Sequence, residues 1–232
     1  MADSDPVCFQ PASDQSLLVS FGSEITPAAN DRVRRLLRLL QLDRVPAVMN
    51  LHPAYCSLLV RFDALVIGHE ELETILRTYV ARMEEVPMPE HREVEIPVCY
   101  GGEFGPDLDE LAAMHGMSPD DAAALHASVM YTACFLGFVP GFAYLGGLPE
   151  SLATPRLATP RRRVPAGSVG IAGNQTGVYP HSTAGGWRLI GRTPVAMFRP
   201  AECHMSLIAI GDRVSFRPIT VGEFAKLSDT CA

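Results

Sequence analysis

Lysine is almost absent. Lys226 is the only one among 19 basic residues, and the other 18 are arginines. The 232-residue chain therefore has no GxxxxGK[ST] loop, whose lysine reaches the terminal phosphates of a nucleotide. A Schiff-base lysine would have to be Lys226, in a polar C-terminal stretch. Paired cysteines are lacking as well. Cys8, Cys56, Cys99, Cys134, Cys203 and Cys231 form no CxxC, which excludes zinc-ribbon and thioredoxin-type sites. Cys56, Cys99 and Cys134 sit in apolar runs and read as small buried hydrophobes. No run of 18 apolar residues exists, so no transmembrane helix is expected. The start, MADSDPVCFQP, has no apolar signal core. A cytoplasmic protein is the expectation.

What is present fits a loop-rich β protein. The chain is 47% hydrophobic with mean hydropathy +0.13, enough for a sizeable core. Glycine and proline number 19 each, too many for a helical bundle. Charge is segregated. Residues 1–90 carry 8 cationic and 13 acidic side chains, net −5; residues 91–150 carry 1 and 9, net −8; residues 151–232 carry 10 and 4, net +6. A basic segment in an acidic chain points to an anionic ligand or an acidic partner surface. The pI near 5.5 and the lack of long basic runs argue against nucleic acid.

Residues 1–90 read as a small α/β lobe. LLVSF (17–21) is a strand. Thr26-Pro27 is a helix start, with a capping hydroxyl and a proline at the first helical position. Val33, Leu36, Leu37 and Leu40 mark its buried face. Strands follow at 47–51 and 57–62, then a second amphipathic helix through Leu72, Ile75, Leu76, Tyr79 and Met83. The order β-α-β-β-α predicts a split βαβ sandwich, provided a fourth strand pairs in. EVPMP (85–89) breaks the helix and links to residues 91–232. There Pro97 makes the strand at 94–100 an edge or a bulge. Short helices are expected at 107–115 and from Ser118-Pro119 to about 127. Strands at 131–138, 168–172, 177–179, 187–190, 195–198, 206–210 and 213–216, separated by Gly/Pro turns, predict a closed or nearly closed barrel. Pro140-Gly141 has the pattern of a type II turn.

Several stretches carry a resemblance. PGFAYLGGLP, PR..RVPAGSVGIAG, QTGVYP and GGWRLIGRTP, in that order, with LLVSFG, NLHPAYCSLLVRFD and IPVCYGGEFGPDL before them, resemble the allophanate hydrolase subunit 1 family. That family is also called the 5-oxoprolinase B subunit, or carboxyltransferase domain, subdomain C and D. It includes an inhibitor of a sporulation histidine kinase. Departures are small: Ser182-Thr-Ala-Gly-Gly-Trp187 stands where the family usually reads SPGGW, and Ile210-Gly211-Asp212 where it reads PGD. The resemblance covers the whole chain. It implies a ferredoxin-like α/β lobe (1–90) followed by a cyclophilin-like β-barrel domain (91–232), an α+β and β chain. It also implies a partner, the carboxyltransferase subdomain A and B protein (allophanate hydrolase subunit 2, or the 5-oxoprolinase C subunit). With a third subunit the two resemble an ATP-dependent amidohydrolase that opens 5-oxoproline to glutamate. Allophanate hydrolysis is the older assignment, and related domains act in urea carboxylase.

Candidate residues cluster in the barrel segment. Gln175, in a glycine-flanked loop, could donate to and accept from an amide or lactam; its ordinary role is to brace a loop. Arg161 and Arg163 would share a face of an extended strand, and arginine forks clamp carboxylates; a solvated edge is the usual fate of such a run. Arg192 is a further clamp, with a structural carboxylate pair as its alternative, and Arg156 is a weaker one. Tyr179, Thr176 and Ser168 complete the substrate-binding set. Ser168 in AGSVG mimics a GxSxG elbow, yet no helix follows. His126 is the candidate acid/base residue, against the commoner partly buried, hydrogen-bonded histidine; His52, His115 and His181 are weaker. Phe138, Phe142, Tyr144, Gly185, Gly186 and Trp187 could line a pocket or an interface, core packing being the alternative for Trp187. Asp107, Asp109 and Glu110 read as first-turn helix acids. No metal-ligand constellation is visible.

The leading expectation is an enzyme subunit, inactive alone, that presents these groups to a small carboxylate-bearing lactam or amide. It would bind no cofactor itself, and a partner would handle ATP. The other readings are an inhibitory module acting on a histidine kinase, and a biotin-linked carboxyl-transfer component. Proline isomerisation is not inferred from a barrel alone.

Overall fold

The computed structural model describes residues 6–202 and 205–230. Cys203 and Cys231 lie outside them. The chain divides into two compact units, Met1–Glu90 and His91–Ala232.

The first unit runs β1 (Cys8–Ser13), β2 (Ser16–Ser20), α1 (Pro27–Leu42), β3 (Val48–Pro53), β4 (Ser57–Phe62) and α2 (His69–Arg82), then a 3₁₀ turn, Met83–Glu85. Its sheet has the order β1-β2-β4-β3, with every pair antiparallel. The part β2-α1-β3-β4-α2 is the expected split βαβ unit. The fourth strand comes from before it, as β1 pairs with β2 in a tight hairpin. β1 escaped the sequence reading because it is almost wholly exposed and shows no apolar alternation. Thr26 Oγ1 accepts from the Ala29 N–H at 3.1 Å and Pro27 opens α1. Val33, Leu36, Leu37 and Leu40 are buried, each contributing about 1.5–3 kcal/mol relative to exposure.

The second unit is a closed seven-stranded barrel. Its elements are β5 (Glu93–Tyr100), α3 (Leu108–Met114), α4 (Pro119–Ala127), β6 (Tyr131–Leu136), β7 (Ala143–Gly146), β8 (Arg161–Val164), β9 (Ser168–Ala172), β10 (Gln175–Val178), β11 (Thr183–Gly185), β12 (Arg188–Arg192), β13 (Arg213–Pro218) and α5 (Val221–Thr230). The barrel order is β10-β7-β6-β13-β5-β12-β9, closed by the β9–β10 pair. Only β5 and β13 run parallel. Closure removes sheet edges, and Ile96, Val98, Val169, Ile171, Val178 and Val214 fill the interior. β8 and β11 form a separate two-stranded ribbon.

Four expectations change. β5 is not an edge strand. Pro97 nevertheless lies where β5 pairs with β13 alone, because β12 pairs only with Cys99 and Tyr100. Residues 195–198 and 206–210 are not strands; a single bridge, Phe198 to Ser206, joins them. Lys226 sits on α5 and not in a tail. Asp107 is not a first-turn acid of α3 but its N-cap residue, with no side-chain cap bond; its side chain is buried and bonded elsewhere.

Candidate functional site

The barrel wall decides where side chains go. Along β9 and β10, Val169, Ile171, Thr176 and Val178 face inward, so Gly170, Ala172, Gln175 and Gly177 face out. The outer face is covered by aromatic rings. A Cβ on Gly177 would lie 2.8 Å from the Ala143 carbonyl oxygen and 3.1 Å from Phe142 Cζ. One on Gly170 would lie 3.1 Å from Trp187 Cβ. Glycine here seats rings against backbone.

The rings form one cluster. Phe142 lies 4.9 Å from Tyr144, 5.3 Å from Tyr179 and 5.3 Å from Trp187, all edge-to-face, the arrangement ring quadrupoles favour. Tyr144 stacks on Phe135 at 4.4 Å. A concavity of about 220 Å³ opens on this cluster. Phe138, Phe142, Tyr144, Tyr179, Gly185, Gly186 and Trp187 line it, together with Arg156, Pro160 and Ala184. The structure thus brings together all six pocket candidates and Tyr179. Arg156 and Pro160, within TPRLATP, complete it. The clue in the sequence was an arginine bracketed by prolines.

The loop from β6 to β7 sets the rim. The Phe142 N–H donates to the Val139 carbonyl at 3.1 Å, with Gly141 at φ 84°, which is the type II turn expected for Pro140-Gly141. Just before it, the Val139 N–H donates to the Gly137 carbonyl at 2.8 Å across Phe138, whose φ is 67°. A γ-turn with a bulky residue at positive φ is strained. The Phe138 ring is 58% exposed and lies edge-on to Phe142 and Tyr179.

Burial pushes the Tyr144 and Tyr179 hydroxyls up, while the Arg156 charge draws both back; the Trp187 backbone and Arg161 also draw Tyr179 back. Both are neutral O–H groups at pH 7.

The remaining candidates are elsewhere. His126 is inside the barrel and 0% exposed. Thr176 Oγ1 donates to the Gly170 carbonyl at 3.0 Å, so it accepts from His126 Nε2–H at 2.9 Å. His126 Nδ1 then accepts from the Tyr100 hydroxyl at 2.8 Å. Burial lowers the His126 pKa to about 3. The expected acid/base role is therefore corrected to a structural one, and Thr176 is its partner, out of reach of substrate. Ser168 is buried in a strand that leads to another strand, not a helix, which leaves no nucleophile elbow. Gln175 follows the β9–β10 turn and shares the outer face, but it does not line the concavity.

The arginines do not converge. Arg161 Nη2 donates to Asp107 Oδ1 at 2.6 Å, and Asp107 Oδ2 accepts from the Leu189 N–H at 2.6 Å. Arg163 Nε donates to Ser182 Oγ and Arg192 Nε to the Ala166 carbonyl. Arg188 pairs with Glu110, and Arg217 with Glu95. Three of the ten cationic residues of the basic third, Arg161, Arg188 and Arg217, are matched by acids of the stretch before it. That match overturns the expectation that clustered guanidinium groups share one anionic guest. Arg156 is the guanidinium left facing the concavity. Among the described residues it makes no ion pair or hydrogen bond. Also among these residues, no three His, Cys, Asp or Glu side chains gather as a metal site, and no helix is long and apolar enough to cross a membrane.

The sequence matches the family described as carboxyltransferase domain, subdomain C and D, over residues 7–208. It is 42% identical over 221 residues to the 5-oxoprolinase B subunit of Bacillus subtilis, covering 91% of this chain and 92% of that protein. The solved structure of TTHA0988 has a TM-score of 0.77 and 35% identity, over 89% of this chain and 40% of that one. Urea carboxylase of Kluyveromyces lactis gives a TM-score of 0.80 at 19% identity, over 97% of this chain and 23% of that one. The last is a likeness of fold alone. This chain spans nearly all of the Bacillus relative and less than half of the two longer chains.

Proposed function

Because the chain belongs to the carboxyltransferase domain, subdomain C and D family, we propose that it is one subunit of a 5-oxoprolinase-type amidohydrolase complex, working on a small lactam or amide in the cytoplasm. The observation that carries this reading is the near full-length identity with a protein named as the B subunit of 5-oxoprolinase. The fold also occurs within longer chains, which supports a partner of the subdomain A and B type. ATP is used by the complex and is handled by another subunit, since the single lysine of this chain lies on α5 and outside any phosphate loop.

This division of labour gives a direct test. The chain is purified alone and with the candidate partner subunits, and glutamate release from 5-oxoproline is followed with ATP present. Turnover by the complex and none by the isolated chain is the expected result. Full activity in the isolated chain, or a complex that acts on allophanate or urea and not on 5-oxoproline, contradicts the reading.

A further inference from the structure

We propose that the aromatic concavity on the outer barrel face binds a small-ring carboxylate, with the Arg156 guanidinium on the carboxylate and Phe138, Tyr144 and Trp187, backed by the buried rings of Phe142 and Tyr179, around the ring of the guest. The proposal rests on the 5-oxoprolinase reading and names the place where this chain would hold such a molecule.

Size is the first argument. At about 220 Å³ the space falls below the roughly 300–1,000 Å³ of sites for drug-sized ligands. It suits one five-membered ring and its substituents. Chemistry is the second. The walls are flat and apolar, and one guanidinium stands at the rim. A planar guanidinium offers paired N–H donors that match a carboxylate. Tyr144, half-buried and neutral like any tyrosine at pH 7, lines the same space and gives it a polar edge.

Preorganisation is the third argument. Backbone bonds fix the chain on both sides of Arg156. Thr154 exchanges N–H···O bonds with Gly173 at 3.1 and 2.7 Å, and the Leu157 N–H donates to the Gly186 carbonyl at 2.8 Å. Arg188 Nε holds the Pro155 carbonyl at 3.3 Å. Opposite, the strained γ-turn holds the Phe138 ring at the rim. Such strain persists only where the surroundings enforce it, and it collects at ligand clamps.

The test uses a feature of the composition. Trp187 is the only tryptophan and it lines the concavity, so its fluorescence reports on occupancy. The full chain is titrated with 5-oxoproline, with 2-pyrrolidinone (the same ring without the carboxylate) and with acetate (the carboxylate without the ring). A saturable change with 5-oxoproline is expected, at a midpoint at least tenfold below either fragment. Arg156→Gln raises that midpoint at least tenfold, Arg156→Lys raises it less, and Arg199→Gln leaves it unchanged. No saturable change, equal midpoints for ring and fragments, or an unaltered midpoint in Arg156→Gln each overturns the proposal. The two readings can fail separately. A complex that opens 5-oxoproline while Trp187 stays silent keeps the function and removes this site. An Arg156-dependent titration with no lactam opening in the complex does the reverse.

Discussion

His126 and Phe138 show how a single side chain can be read in opposite ways. His126 sits in the last turn of α4. The barrel closes over it, and the chain from Tyr100 through His126 and Thr176 to the Gly170 carbonyl uses both ring nitrogens and both hydroxyl protons. In the unfolded chain the imidazole takes a proton near pH 6.5, whereas in the fold it does so only near 3. Between those values the unfolded state binds more protons, so stability rises with pH. The contribution of His126 is fully present above pH 6.5 and is lost as pH falls toward 3. Urea unfolding at pH 7 and 4.5 tests this. Wild type is expected to lose on the order of 1.4 kcal/mol per pH unit more than His126→Gln; parallel losses contradict it. Phe138 is the converse, an exposed ring held in a costly conformation. Phe138→Gly removes strain of about 1–3 kcal/mol. Its urea midpoint is expected at or above that of wild type, while the affinity for the cyclic carboxylate falls. A clear drop in midpoint would mean that the ring holds the fold together.

At the scale of elements, glycines and rings form matched pairs. Gly177 lies under Phe142 and Gly170 under Trp187. Gly177→Ala places a methyl group against backbone and ring, and overpacking of this kind costs about 1–3 kcal/mol. Thermal or chemical unfolding measures it directly, and a neutral result would mean that the outer face yields more easily than its contacts imply. The same pairs explain what the sequence revealed. Amphipathic elements were readable: α1 from the spacing of Val33, Leu36, Leu37 and Leu40, β4 from its alternation, and α4 from Ser118-Pro119. The barrel could be inferred from short strands and turns. β1 could not, because an exposed edge strand leaves no apolar pattern. Nor could β7, whose AYLG sits inside a glycine-rich run. The aromatic residues of the concavity were legible in GFVPGFAYLGGLP, QTGVYP and GGWRLIGRTP. Arg156 was not favoured over its neighbours, because sequence alone does not tell a free guanidinium from one already paired. Arg161 and Arg188 look equally available until Asp107 and Glu110 are placed beside them.

For the whole molecule, that pairing accounts for part of the uneven charge along the chain. The net −8 of residues 91–150 and net +6 of residues 151–232 meet in ion pairs of the barrel unit. Asp107 matters most among them. It is buried and takes both the Arg161 guanidinium and the Leu189 N–H. Asp107→Ala leaves the partly exposed Arg161 guanidinium unpaired and the buried Leu189 N–H without its carboxylate, and a loss of about 1–3 kcal/mol is expected in chemical denaturation. Glu110→Ala removes an exposed partner and stays within about 1 kcal/mol of wild type. Equal effects would contradict this account of the charge pattern. With Arg161, Arg188 and Arg217 paired in this way, the ring-lined hollow and the guanidinium at its rim are the proposed binding region. The most direct measurement is the steady-state kinetics of the reconstituted complex with 5-oxoproline as the varied substrate, for wild type and Arg156→Gln. The account predicts a KM at least tenfold higher in the variant; a KM equal to that of wild type would contradict it.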